Sequence, residues 1–235
     1  MNCMRCLFLT VMLLLCAPVR GGSSPDIILL AAPFNDRPLN AQIGTGGASA
    51  GEPVSIDGDL QAFVVPAGLF ASPFLRVTPM TAGGARYARF EFLDNVEISA
   101  GEVRLGLVLR PAQVDRFSVL VRENNGAAKS FLNMTLTSGG SIAISDAADP
   151  AGALIGSYAA GNLLVFEFRF RMDSGRYDVY LNGVRVAANR SHGIADRGVG
   201  ALLLGSDSGS TAGSNWFIDD VYVYRPDALY ANGFE

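Results

Sequence analysis

Residues 162–188, NLLVFEFRFRMDSGRYDVYLNGVRVAA, decide the fold. From Leu164 to Met172 the alternation is strict. Leu164, Phe166, Phe168, Phe170 and Met172 share one parity, and Glu167, Arg169 and Arg171 hold the other. Side chains on a strand point alternately to its two faces, so this segment predicts a strand with one apolar and one charged face. Tyr177, Val179 and Leu181 repeat the pattern against Asp178 and Tyr180. Asn182-Gly183 then supplies a dipeptide that accepts positive φ at both central positions of a type I′ turn. A two-residue loop there opposes Leu181 to Val184, Val179 to Val186 and Tyr180 to Arg185.

The preceding turn, Asp173-Ser174-Gly175, has turn chemistry but no fixed length. Directly opposed residues share a face, and a one-residue slip would set phenylalanines against Asp178 and Tyr180. The loop must therefore hold an even number of residues. That opposes Phe170 to Tyr177, Phe168 to Val179, Arg169 to Asp178 and Glu167 to Tyr180. A polar row Glu167–Tyr180–Arg185 is thus predicted to cross three antiparallel strands.

Outward from this meander the chain reads as short strands. Upstream they are expected at 26–34, 60–65, 74–79, 85–93, 103–109, 117–121, 130–137, 141–145 and 153–158. Downstream they fall at 200–205 and 215–224, while the Gly/Ala/Ser-rich residues 40–53 read as a loop. No stretch keeps a helical period, and turn signals recur at the spacing of a sandwich or barrel. At 235 residues and 49% hydrophobic content, one large all-β domain over residues 22–225 is predicted, followed by a tail over 226–235.

Composition restricts the function classes. Seventeen arginines accompany one lysine, Lys129, and the net charge is only −4, so bulk charge implies no polyanion partner, nucleic acid included. The N-terminus has the three-part layout of a secretory signal: Arg5, an apolar run from Leu7 to Ala17, then Val19-Arg20-Gly21. That run is shorter than the roughly 20 residues a spanning helix needs. Cleavage near Gly21 is expected, giving an exported protein with no transmembrane segment. Cys3, Cys6 and Cys16 all lie within the signal, so the mature chain would have no disulfide and no thiol chemistry.

Two segments carry a family resemblance. GRYDVYLNGVRVA (175–187) and WFIDDVYVY (216–224) resemble late strands of the concanavalin A-like lectin/glucanase superfamily, in particular its laminin-G-like jelly-roll branch. Phe34-Asn35-Asp36 is similar to the F-x-D start of many such domains. The resemblance implies a two-sheet antiparallel jelly-roll β-sandwich. It also implies a structural calcium, with Asp219 or Asp220 joining Asn35 or Asp36. The tail's Gly233-Phe234-Glu235 resembles an ending of exported Gram-negative proteins.

Catalytic chemistry finds little support in the letters. Retaining glycoside hydrolysis needs two carboxylates about 5 Å apart. Glu91, Asp94 and Glu97 are spaced by three, which sends Asp94 to the other face from Glu91 on a regular strand. His192 is the one histidine and reads as a solvated loop residue. For binding, Tyr180 flanked by Glu167, Arg169, Asp178 and Arg185 offers an aromatic platform with planar polar groups, and Trp216 is the sole tryptophan. A non-catalytic binding or adhesion module with a glycan or cell-surface partner is therefore expected. The alternatives are a structural envelope protein without a small ligand, then a divergent glycosidase.

Overall fold

The computed structural model describes residues 26–124 and 130–226. The expected signal segment with its three cysteines, Lys129 and the tail beyond 226 lie outside the described residues. In chain order the strands are β1 (Ile27–Ala32), β2 (Ala41–Gln42), β3 (Ser55–Ile56), β4 (Leu60–Val65), β5 (Phe74–Pro79), β6 (Arg86–Glu91), β7 (Glu102–Pro111) and β8 (Phe117–Arg122). They continue as β9 (Ser130–Leu136), β10 (Ser141–Ser145), β11 (Ala153–Ser157), β12 (Leu164–Arg171), β13 (Arg176–Leu181), β14 (Val184–Ser191), β15 (Ala201–Ser206) and β16 (Trp216–Arg225).

These strands form the expected two-sheet antiparallel jelly-roll sandwich. Sheet A runs β14-β13-β12-β7-β16-β5-β4-β2, with β1 beside β16, and sheet B runs β11-β10-β9-β8-β15-β6-β3. The sheets close on a single large core. Every apolar member of the opening alternation faces it: Leu164, Phe166, Phe168, Phe170 and Met172 are all at most 7% exposed. Phe166 stacks near-parallel on Phe168 at 6.0 Å, and Phe170 on Tyr177 at 5.5 Å. β8 and β15 supply the facing layer through Phe117, Val119, Val121, Leu202 and Leu204. The two-residue strands β2 and β3 were not signalled by any alternation, because two residues are too few to display a period. Among the described residues no helix is long and apolar enough to cross a membrane.

The register of the meander is the predicted one between β12 and β13. Phe170 opposes Tyr177, Phe168 opposes Val179, Arg169 opposes Asp178 and Glu167 opposes Tyr180. The intervening loop is 172–175, four residues, with Gly175 in the left-handed region at φ 64°. Beyond the Asn182-Gly183 turn, Leu181 opposes Val184 and Tyr180 opposes Arg185 as expected. The expected Val179–Val186 pair does not form. Val179 faces Ala187 and Tyr177 faces Arg190, because β14 carries two irregularities that each add a residue. Asn189 adopts φ 54° there, and its N–H is taken by the Asp178 carboxylate at 2.6 Å. A side-chain acceptor thus replaces a ladder partner and makes the bulge affordable.

Phe168, fully buried at the centre of β12, gives a direct test of this packing. Replacing it with alanine should cost about 3–5 kcal/mol in chemical denaturation, the usual range for a buried phenylalanine. A loss below about 1 kcal/mol would mean that β12 is not the spine of the core.

Candidate functional site

The inward parity of sheet A builds the core, so its other parity builds a continuous outer face. The predicted row of three residues extends to five strands. Tyr222 on β16 opposes Gly106 on β7, Gly106 opposes Glu167, Glu167 opposes Tyr180, and Tyr180 opposes Arg185. A second row runs Tyr224–Arg104–Arg169–Asp178. A third, shorter row is Glu102–Arg171–Arg176.

Gly106 has a specific part in this surface. A Cβ there would lie 2.4 Å from Cζ of Tyr222, so the tyrosine ring lies across β7 where no side chain intervenes. Tyr222 and Tyr224 then stand side by side, centroids 5.8 Å apart. Tyr222 keeps 41% of its surface exposed.

The charged groups order the remaining rings. Arg169 donates to both carboxylate oxygens of Glu167, at 2.6 and 3.2 Å, and its guanidinium lies 4.3 Å from the centroid of Tyr180. Glu167's hydrogen bond holds the Arg169 pKa above its ordinary value. Arg104 repeats the arrangement, bonded to Glu102 and placed 6.0 Å from the Tyr224 centroid. Asp178 does not pair with the directly opposed Arg169. It takes two hydrogen bonds from Arg171, at 2.6 and 3.4 Å, which hold its pKa below the usual carboxylate value. Arg185 stands exposed at the end of the first row. The result is a two-row platform of tyrosine rings, each locked by a guanidinium or a neighbouring ring, with carboxylates between them.

Glu167, Arg169, Asp178, Tyr180 and Arg185 are therefore brought together as the sequence suggested. Trp216 is not among them. It is 0% exposed on the inward parity of β16, packed on Phe117 at 4.8 Å and near Tyr158 at 6.2 Å. Arg104, Gly106, Tyr222 and Tyr224 were missed, although Tyr222 and Tyr224 alternate with Val221 and Val223 and share one face. Their signal was the period. What the letters lacked was any sign that β7 and β16 lie beside β12.

The other candidates disperse. Asp219 is 4% exposed, accepting from the Ser72 hydroxyl at 2.9 Å and the Asp220 N–H at 2.9 Å. Asp220 is exposed, at φ 49°, where β16 exchanges β5 for β1 as its neighbour. Asp36 is exposed and lies 3.5 Å from Arg37. Calcium takes six to eight oxygens, and among the described residues no three His, Cys, Asp or Glu side chains gather where an ion could sit. Asp36, Asp219 and Asp220 are thus not gathered into one group of carboxylates. Glu91 is paired with Arg89 at 2.8 Å, Asp94 sits in a short 3₁₀ turn, and Glu97 accepts the Asn124 N–H at 2.6 Å.

His192 corrects a further expectation, for it is 1% exposed rather than solvated. Its N–H bonds the Gly175 carbonyl at 3.1 Å, which turns the residue under the β12–β13 loop, and its ring packs edge-on against Phe131. Burial lowers its pKa.

No protein-family model matches the chain. No curated protein matches it in sequence. Among solved structures it is similar to a carbohydrate esterase of the Shiga toxin-encoding bacteriophage phi24B, with a TM-score of 0.58 and 11% identity over 86% of this chain and 100% of that one. A sialidase matches with a TM-score of 0.54 and 12% identity over 72% of this chain, which spans only 17% of the sialidase. A galectin of Caenorhabditis elegans gives a TM-score of 0.42 and 16% identity over 60% of this chain and 93% of that one. At such identities the first two likenesses concern the fold, an antiparallel β-sandwich.

Asp219 provides a pH-dependent test of the β16 switch. Burial raises its pKa in the folded chain, so folding favours the neutral acid, and the contribution is lost as pH rises through the folded pKa. Asp219→Asn should therefore raise the melting temperature at pH 7, with the advantage shrinking as pH falls towards the ordinary carboxylate range. An Asn variant less stable than wild type at pH 7 would contradict the buried placement. Chelator treatment should leave the melting temperature unchanged, and a fall would show a structural ion.

Proposed function

We propose that the chain is an exported, non-catalytic carbohydrate-binding module of the concanavalin A-like, laminin-G-like type. Its binding surface on this reading is the outer face of sheet A. The observation that carries the proposal is the platform itself. Tyr180, Tyr222 and Tyr224 stand on one sheet face, interleaved with guanidinium and carboxylate groups already fixed by mutual hydrogen bonds. Sugar rings offer apolar C–H faces and in-plane hydroxyls, and such a surface meets both at low ordering cost because its rotamers are held before binding. Two solved structures that share the fold are named as a carbohydrate esterase and a sialidase, which supports a carbohydrate context.

A catalytic role gains less support. Glu167 and Asp178 are each engaged by an arginine, and retaining chemistry asks one carboxylic acid to carry a proton near neutral pH. Asp178 is shifted the opposite way.

Tyr180→Ala and Tyr222→Ala test the surface from two strands. Each should weaken the strongest glycan-array ligand about tenfold or more, in line with truncating an aromatic anchor, at an unchanged melting temperature. Glycan signals unaffected by both variants would remove this face as the binding site.

A further inference from the structure

The net charge of the chain hides an uneven distribution. Arg76, Arg104, Arg110, Arg169, Arg171, Arg176 and Arg185 all belong to the outward parity of sheet A. Against them on that face stand Glu102, Glu167 and Asp178, with Asp219 buried beneath Ser72 and Asp220 exposed close enough to act on Tyr222. The chain as a whole carries −4, so most of its acids lie elsewhere, and seven arginines against these five acids leave the face cationic.

Its cations are also placed against one another. Arg104 directly opposes Arg169, and Arg171 directly opposes Arg176. Like charges across a strand pair are destabilising, and a sheet folding for stability alone has no use for two such pairs. The available acids leave part of the charge unspent. Arg104 bonds Glu102 through Nε, Arg176 donates to the Asn189 carbonyl and Arg110 to the Leu69 carbonyl. Arg76 lies over Phe63, 5.7 Å from the ring centroid. Arg185, exposed beside Tyr180, makes no direct salt bridge among the described residues, and its charge reaches Asp178 only at longer range.

We infer that the ligand of this face is an acidic glycan, a polysaccharide bearing carboxylate or sulfate groups, with Arg104, Arg169 and Arg185 reading the anion beside the tyrosine platform. The planar guanidinium fork matches both groups and binds them in paired hydrogen bonds. An anion set between Arg104 and Arg169 would also relieve their mutual repulsion, so the same contact that recognises the ligand stabilises the sheet. The inference rests on the carbohydrate reading and adds the charge class to it.

Titration calorimetry on the full chain in about 0.15 M salt tests it. The probes are polygalacturonate, its methyl-esterified form, dextran sulfate, dextran and single-stranded DNA. The acidic polymer of at least one pair should bind about tenfold or more tighter than its neutral counterpart, and the advantage should fall as salt rises. Carboxylate and sulfate recognition are told apart by which pair discriminates. Arg169→Gln and Arg185→Gln should each reduce the acidic polymer towards the neutral level. Arg185, outside any direct salt bridge among the described residues, keeps the test valid should R169Q fail to fold. Equal binding of acidic and neutral forms would overturn this inference while leaving the carbohydrate reading in place. Binding of none of the four polysaccharides would overturn both. DNA bound as tightly as the acidic polysaccharides would reduce the effect to bulk charge and also overturn the inference.

Discussion

The alternation in β12 is the constraint from which the rest of the molecule follows. Phe166, Phe168 and Phe170 fill the core while Glu167, Arg169 and Arg171 face outward. A one-residue slip would expose three phenylalanines and bury three charges, so the register of β12 against both β7 and β13 has no nearby alternative. Once that register is set, the outer rows are set as well. The same physics that builds the core therefore places Tyr180 between Glu167 and Arg185.

β7 converts this meander into a surface. It lies between β12 and β16, and at its midpoint Gly106 leaves the space that Tyr222 occupies. Any side chain at 106 would displace that ring, since a Cβ would lie 2.4 Å from its Cζ. The bulges of β14 act on the other flank. Asp178, held by Arg171, spends its second oxygen on the Asn189 N–H, so a charged residue of the outer face also stabilises an irregular strand edge. The outer face and the sheet geometry are consequently coupled through single side chains.

Much of this was legible before any coordinates. The even loop, the Asn182-Gly183 turn and the Glu167–Tyr180–Arg185 row follow from period and turn chemistry, which are local properties. The face of β16 that carries Tyr222 and Tyr224 was equally visible, but its adjacency to Gly106 was not, since long-range strand order leaves no trace in local pattern. Trp216 and His192 show the same limit at single residues. An imidazole after a strand end reads as a surface group, and an indole at a strand start reads equally as core or as a binding residue; the packing of Phe117, Tyr158 and Phe131 around them makes both core. The bulge at Asn189 is met by an acceptor on the facing strand, the Asp178 carboxylate, again invisible from β14 alone. The charge of the outer face was masked in a different way, because composition sums over both sheets.

The central claim is that ligand meets the outer face of sheet A and not the loops or sheet B. Arginine side-chain NMR tests this most directly, following the Nε–Hε resonances during addition of an acidic oligosaccharide. The account predicts shifts at Arg104, Arg169 and Arg185, with Arg37, Arg86 and Arg116 unmoved. Shifts confined to the latter three, with the sheet A arginines silent, would contradict it.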